Sequence, residues 1–390
     1  MNAAGRRAET ALAILLALVV LLGAGAAALW FAPKAPVHPD AATVPSSPAA
    51  AAIDRYGAAV EESRRLARAL VVADNVPGLS VAVAVDGTIV WAEAFGWADV
   101  DSRMEVTPLT RFRLGALSKP LTAVAAALLH DRGRLDLDAP VQRYVPAYPD
   151  KPWPVTTRQL LSDVAGVHRI RGDNNDAMPD GHCASVAEAV SMVADDPLLF
   201  EPGTRHRYSV WGWVLVSAAI EGAAGEPFSR FMARQVFEPL GMDRTLVAES
   251  EHVVGVAHRD RRPDYSCVAG AGSFLSTPTD LVRLGSAMLK PDPLKAETIA
   301  TFQTPARLTS GASTTYALGW TVKDVQLAGE PTRVVSHRGS PAGGTVTLLT
   351  LPELGIAMAA AANVTDASGV HPFALQVAEG FARHARPRQR

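Results

Sequence analysis

Two clusters of strand-like sequence, one towards each end of the chain, restrict the fold more than anything between them. In the first, Leu79-Ser80-Val81-Ala82-Val83-Ala84-Val85 and Thr88-Ile89-Val90-Trp91-Ala92 flank Asp86-Gly87, which reads as strand, tight turn, strand. In the second, residues 334–337, 345–351 and 356–361 read as three more strands, with Pro352 and Gly355 in the last turn. Between the clusters, apolar residues recur at helical spacing over 120–132, 156–162, 186–193, 210–224, 228–237 and 278–289. A helix over 53–72 precedes them, with Tyr56, Ala59, Val60, Leu66 and Leu70 on one side and Arg64, Arg65 and Arg68 on the other. Strands from both chain ends share one sheet only if the helical middle is looped out of it. The expectation is an α+β fold: an antiparallel sheet flanked by helices, with an inserted all-helical subdomain.

Charge and composition remove several function classes. With 37 Lys+Arg against 39 Asp+Glu the formal charge is −2, so the basic surface that nucleic-acid binding requires is not expected. Hydrophobic residues make up 48%, which excludes disorder for the bulk of the chain. Two cysteines, Cys183 and Cys267, make neither a disulfide framework nor a zinc cluster, and whether they form one bridge is open. The histidines include no His-x-x-x-His pair, and no metal or cofactor is expected. Arg171-Gly172-Asp173 reads as part of a solvated loop.

The amino-terminal region sets the expected compartment. Residues 1–9 read as a cytoplasmic N-terminus carrying Arg6 and Arg7, followed by an uncharged run over 10–33. That run is about long enough to cross a hydrocarbon core of roughly 30 Å. The positive-inside rule exports the remainder of the chain, to the periplasmic or extracellular side. A cleaved signal peptide, ending near Ala24-Gly25-Ala26 or Ala26-Ala27-Ala28, is the rival reading. Leu29, Trp30 and Phe31 prolong the apolar run and favour an anchor. Residues 34–52, with four prolines and no periodic apolar face, read as a Pro/Ala-rich spacer outside the fold. The folded domain is expected over 53–385, and 386–390 as a basic tail.

The chemistry is best sought at Arg111-Phe112-Arg113-Leu114-Gly115-Ala116-Leu117-Ser118-Lys119-Pro120, leading into an apolar helix. Here the chain resembles the penicillin-binding-protein and class C β-lactamase family of serine hydrolases, closest to its mitochondrial β-lactamase-like members. The resemblance extends through Pro77-Gly78-Leu79, Gly133-Arg134-Leu135-Asp136, Leu160-Leu161-Ser162 with Gly166, Glu201-Pro202-Gly203 running to Tyr208-Ser209, Gly270-Ala271-Gly272-Ser273, and His337-Arg338-Gly339. It implies a nucleophilic Ser three residues before a Lys at a helix start, where the two share a face and the helix N-terminus favours a developing anion. By that resemblance Lys119 and Tyr208 are the proton-handling pair. His337 and Gly339 lie on the substrate-binding strand. The oxyanion hole is made by the N–H groups of residue 116 and Ser340.

The sequence departs from the family at the centre. The nucleophile position is Ala116, which has no oxygen to attack a carbonyl. Ser118 is no substitute, because it lies about 200° around the helix from 116. Asp163 and Ala165 stand where a His and a Ser are common, and Val210 where a polar residue often follows Tyr-Ser. Three readings are open. The first is an acyl-transfer hydrolase whose nucleophile has been replaced. The second is a membrane-anchored pseudoenzyme that still binds a peptide, β-lactam or ester. The third is a scaffolding module. The chain as written is expected to be inactive, and the resemblance leaves an oligomer open.

Overall fold

A computed structural model of the chain describes residues 36–50, 54–169, 181–248 and 264–385. The expected span at 10–33, the Arg171-Gly172-Asp173 loop and the tail 386–390 lie outside the described residues. Among the described residues no helix is long and apolar enough to cross a membrane. The chain divides into Met1–Val37 and His38–Arg390, and the sheet and its helices belong to the second unit.

That unit begins with β1 (Ser46–Ala50), α1 (Gly57–Ala73), β2 (Gly78–Val85), β3 (Thr88–Asp99), β4 (Met104–Glu105) and β5 (Phe112–Arg113). The helical middle holds α2 (Ser118–Asp131), α3 (Thr157–Leu161), α4 (Val186–Ala194), α5 (Val210–Ala224) and α6 (Phe228–Phe231). Then come β6 (Leu246–Val247), β7 (Phe274–Ser276), α7 (Pro278–Ala287) and α8 (Ala296–Phe302). The chain returns through β8 (Thr321–Leu327), β9 (Glu330–Gly339), β10 (Thr345–Leu351), β11 (Ile356–Ala362) and α9 (Val370–Ala382). The main sheet runs β1-β3-β2-β11-β10-β9-β8, with β4 on β3. The two chain ends meet at its centre, where β2 pairs antiparallel with β11 from Leu79 opposite Ala362 to Val85 opposite Ile356. The expected α+β architecture is present.

Side-chain size sorts the two faces of the sheet. Val81, Val83, Val85, Ile356, Met358 and Leu349 join the apolar layer under α1 and α9. The alternate residues Ala82, Ala84, Ala357, Ala359 and Ala361 face the layer that includes α2, α5 and α7. Strand alternation forces that division, and the alanines let α7 lie close. A Cβ added at Gly285 of α7 would sit 3.1 Å from the Ala357 Cβ.

Three expectations change. Residues 34–52 are not wholly a spacer: Ser46–Ala50 is an edge strand paired with β3, Val44 is buried, and the His38 ring bonds the Pro77 carbonyl at 2.8 Å. An edge strand is held by its backbone, so Ser, Pro and Ala suffice and no apolar period marks it. The helix expected over 228–237 is α only to Phe231, and Met232–Phe237 winds into a π turn. Helices α8 and α9 and strand β8 have no counterpart among the expected elements. Strand β8 is mostly half-exposed or exposed and lies at the edge of the main sheet, paired with β9. Cys183 and Cys267 are disulfide-bonded, with Cα atoms 4.9 Å apart.

Candidate active site

The site begins where β5 turns into α2. Gly115 adopts φ +50°, which an L side chain disfavours, and the Gly115–Leu117 turn delivers the chain to Ser118. Ala116 is half-buried in that turn. Lys119, the second residue of α2, is fully buried. Its Nζ donates to Tyr208 Oη at 2.7 Å and lies 3.5 Å from the Ala271 carbonyl. It also stands 4.2 Å from the Tyr208 ring centroid. One turn on, Thr122 Oγ1 donates to the Gly270 carbonyl at 2.9 Å, and the Gly270 N–H donates to Ser217 Oγ of α5 at 3.1 Å. The 266–271 turn is thus tied to both helices. It contains Ala269 at φ 35°, ψ −125°, a conformation kept only where the surroundings over-determine it.

Ser118 Oγ, wholly buried, accepts from the Phe274 N–H of β7 at 3.2 Å. Its role is to join α2 to β7, as its angular position on the helix implies.

Tyr208 is placed by its neighbours. Ser209 caps α5, accepting from the Gly212 N–H at 2.9 Å while donating to the Val167 carbonyl at 2.5 Å. The Arg207 N–H donates to the Asp163 carbonyl at 2.8 Å. Asp163 is buried at φ +56°, and its Oδ1 accepts from the Trp213 indole of α5 at 3.1 Å. Asp163 therefore helps lock the segment that presents Tyr208. Ala165 is buried nearby in the chain, and Val210 is the first residue of α5.

Strand β9 brings the third side. A Cβ at Gly339 would sit 1.9 Å from the Leu114 carbonyl oxygen and 3.1 Å from the Leu117 nitrogen. Only glycine lets this strand lie against the 115–117 turn. Ser340 follows, exposed, with its hydroxyl donating to Asp366 Oδ1 at 2.5 Å. Only its backbone N–H remains for a role in the site.

His337 is buried, with both ring nitrogens engaged. Nδ1 lies 2.8 Å from the Arg338 carbonyl, which can only accept, so Nδ1 carries the proton. Nε2 then accepts from the Tyr316 hydroxyl at 3.1 Å. Burial, then the Lys119 ammonium, push the His337 pKa down to about 3, so the ring is neutral at physiological pH. Burial, with Asp163 and Tyr208 nearby, holds the Tyr316 phenol well above its usual range.

The structure brings Lys119 and Tyr208 into direct contact, packs Gly339 against the turn that holds Ala116, and places His337 in the field of Lys119. Sequence reading did not single out Tyr316 or the part played by the Ala271 carbonyl. Tyr316 lies in an irregular stretch before β8 with no period to mark it, and a backbone carbonyl has no sequence signature. Among the described residues no group of three or more His, Cys, Asp or Glu side chains is arranged to hold a metal ion.

Comparison with known proteins agrees with this geometry. The Beta-lactamase family model matches residues 63–378. Mouse (Mus musculus) serine beta-lactamase-like protein LACTB, mitochondrial, is 29% identical over 416 residues, covering 79% of this chain and 75% of that protein. Penicillin-binding protein 4* of Bacillus subtilis (strain 168) is 27% identical over 296 residues, 69% of this chain and 64% of that one. The solved octameric penicillin-binding protein homologue from Pyrococcus abyssi superposes with a TM-score of 0.68 at 25% identity, over 81% of this chain and 76% of the other. Because the family match runs from within α1 to within α9, through the sheet and the helical insertion alike, the chain belongs to the beta-lactamase family.

Proposed function

We propose that this site is built for acyl transfer from an ester or amide, and that the chain as written holds the acyl-binding half of that machinery without the nucleophile. The observation that carries the reading is the 2.7 Å contact between Lys119 Nζ and Tyr208 Oη at the start of α2. A buried amine against a phenol, one turn from residue 116, is where a hydroxyl proton would go. With serine at 116, Oγ attacks the carbonyl carbon as its proton passes to the Lys119–Tyr208 pair. The carbonyl electrons move to oxygen, where the N–H groups of residue 116 and Ser340 face the charge. Collapse expels the leaving group, which takes the proton, and water then releases the acyl group. Ala116 cannot start this sequence. Losing the nucleophile of a comparable serine hydrolase removes on the order of 10⁶ in rate.

The test is Ala116→Ser, assayed with a chromogenic ester and a cephalosporin and by intact mass. Turnover with a transient acyl adduct on residue 116 supports the reading. An inert serine variant overturns it and favours a pseudoenzyme that binds a peptide, β-lactam or ester reversibly. Asp163, Ala165 and Val210, three departures around the same site, are what recommend that second reading.

We also infer that the domain works in an oxidising, exported compartment, tethered through 10–33. The uncharged run supports the tether, and the Cys183–Cys267 bridge fits such a compartment. The LACTB relatives are mitochondrial proteins. Digestion of the domain by added protease while the inner membrane is still intact supports export, and protection until that membrane is lysed overturns it.

A further inference from the structure

We propose that Tyr316 and Asp163 set the substrate class of this site: Tyr316 occupies the acceptor nitrogen of His337, Asp163 stands on the Tyr316 side with its carboxyl group, and together they make the site select acyl donors that carry no carboxylate of their own. The inference rests on the acyl-transfer reading and deepens it.

An anionic substrate group is held by an uncommitted cation or N–H donor. Of the described side chains brought together here, Lys119 and His337 could serve, and both are committed. Lys119 is fully buried, with Tyr208 Oη and the Ala271 carbonyl on its ammonium. His337 directs its single N–H to the Arg338 carbonyl, and the Tyr316 hydroxyl fills its other nitrogen. The charged groups that act on His337 are Lys119 and Arg338, both cationic, and they oppose its taking up a proton. Strand alternation turns the exposed Arg338 side chain to the opposite face from His337. There Arg338 lines a cavity of about 350 Å³ with Thr347, Asp366 and His371, which Gly339 and Ser340 border as well.

The Tyr316 side adds the opposite sign. The groups that act on its phenol are Asp163 and Tyr208, and the His206 ring packs on it with centroids 5.5 Å apart. Asp163 is fixed by the Trp213 indole and by the backbone of Arg207, so it does not swing away. A neutral imidazole, two phenols and a buried carboxylate make a wall that tolerates an ester or amide dipole and repels a second carboxylate.

The experiment uses Ala116→Ser in the full chain and a matched pair of esters, 4-acetoxybenzoate and its methyl ester, with rates normalised to uncatalysed hydrolysis. The neutral ester is expected to be favoured at least about tenfold in kcat/KM. That preference should shrink at least about threefold when Tyr316→Phe or Asp163→Asn is added. In ¹⁵N-histidine spectra of the unaltered chain, His337 should stay the neutral Nδ1–H tautomer from pH 8 to pH 5, and Tyr316→Phe should raise its titration point. Equal turnover of the two esters, a preference for the anionic one, or a His337 that is charged at pH 6 overturns this inference alone. Turnover of neither ester overturns the acyl-transfer reading, and this inference falls with it.

Discussion

Gly339→Ala is the perturbation that most directly tests how strand β9 and the 115–117 turn are assembled. The added Cβ would lie 1.9 Å from the Leu114 carbonyl oxygen, with Leu114 C and Leu117 N both at 3.1 Å. Every one of these is a backbone atom, so no side chain can rotate aside. Restoring ordinary contact requires the two backbones to part by roughly 1.5 Å. Overpacking of this kind costs about 1–3 kcal/mol, and backbone on both sides puts this case at the upper end. With an unfolding entropy of about 2.1 cal/mol/K per residue over roughly 350 residues, 3 kcal/mol lowers Tm by about 4 °C. The same movement pulls apart the N–H groups of residue 116 and Ser340, and a misplacement of about 1 Å can cost about 10²-fold in rate. In the Ala116→Ser background, Gly339→Ala should therefore lose about 100-fold of the ester turnover while its Tm falls. Gly57→Ala is the control: nothing lies within 4 Å of its added Cβ, and its stability should stay within about 1 kcal/mol of the parent. A Gly339→Ala protein that melts within about 1 °C of its parent would refute the packing argument.

Two further outcomes are expected. Replacing both Cys183 and Cys267 by Ala opens a loop closed across a sequence separation of 84. Loop-closure entropy puts the loss at up to about 4.5 kcal/mol, read as a lower urea midpoint, and a loss below about 1 kcal/mol would sink the entropy account. In acid, His337 and His371 refuse protons that the unfolded chain accepts. Their pKa values are pushed down to about 3 and about 4, His371 by burial and then by Arg338 and Lys323. Stability should therefore be full above pH 6.5 and fall as pH drops through the window from 6.5, with the His371 share complete near 4 and the His337 share near 3. His371→Gln should flatten the urea midpoint between pH 6.5 and 4, and slopes that coincide with the parent's would contradict this.

Much of the architecture was legible because its signals are local. The β2–β3 hairpin announces itself through Asp86-Gly87, and β10 and β11 through apolar runs bounded by Pro352 and Gly355. The 210–224 helix matches α5 because Ser209 caps it and Gly225, at φ +68°, ends it. Strand β1 was not legible, since its stability comes from pairing with β3 and its Ser-Ser-Pro-Ala-Ala sequence has no apolar face to bury. Tyr316 was equally silent. A tyrosine in an irregular segment gains a role only when the fold sets it against a histidine 21 residues further on.

Taken alone, the sequence determined the β2–β3 hairpin, strands β10 and β11, the longer helices between them, the family, and the absence of a hydroxyl at position 116, for these depend on neighbouring residues or on side-chain chemistry. The tertiary structure alone decided that Lys119 meets a tyrosine 89 positions away, that Cys183 reaches Cys267, that the Tyr316 hydroxyl meets the buried His337 ring, and that the Trp213 indole locks Asp163. Such contacts arise where packed layers force distant backbone segments together. Their distances follow from how helices and sheet fill space, which no local period in a chain records.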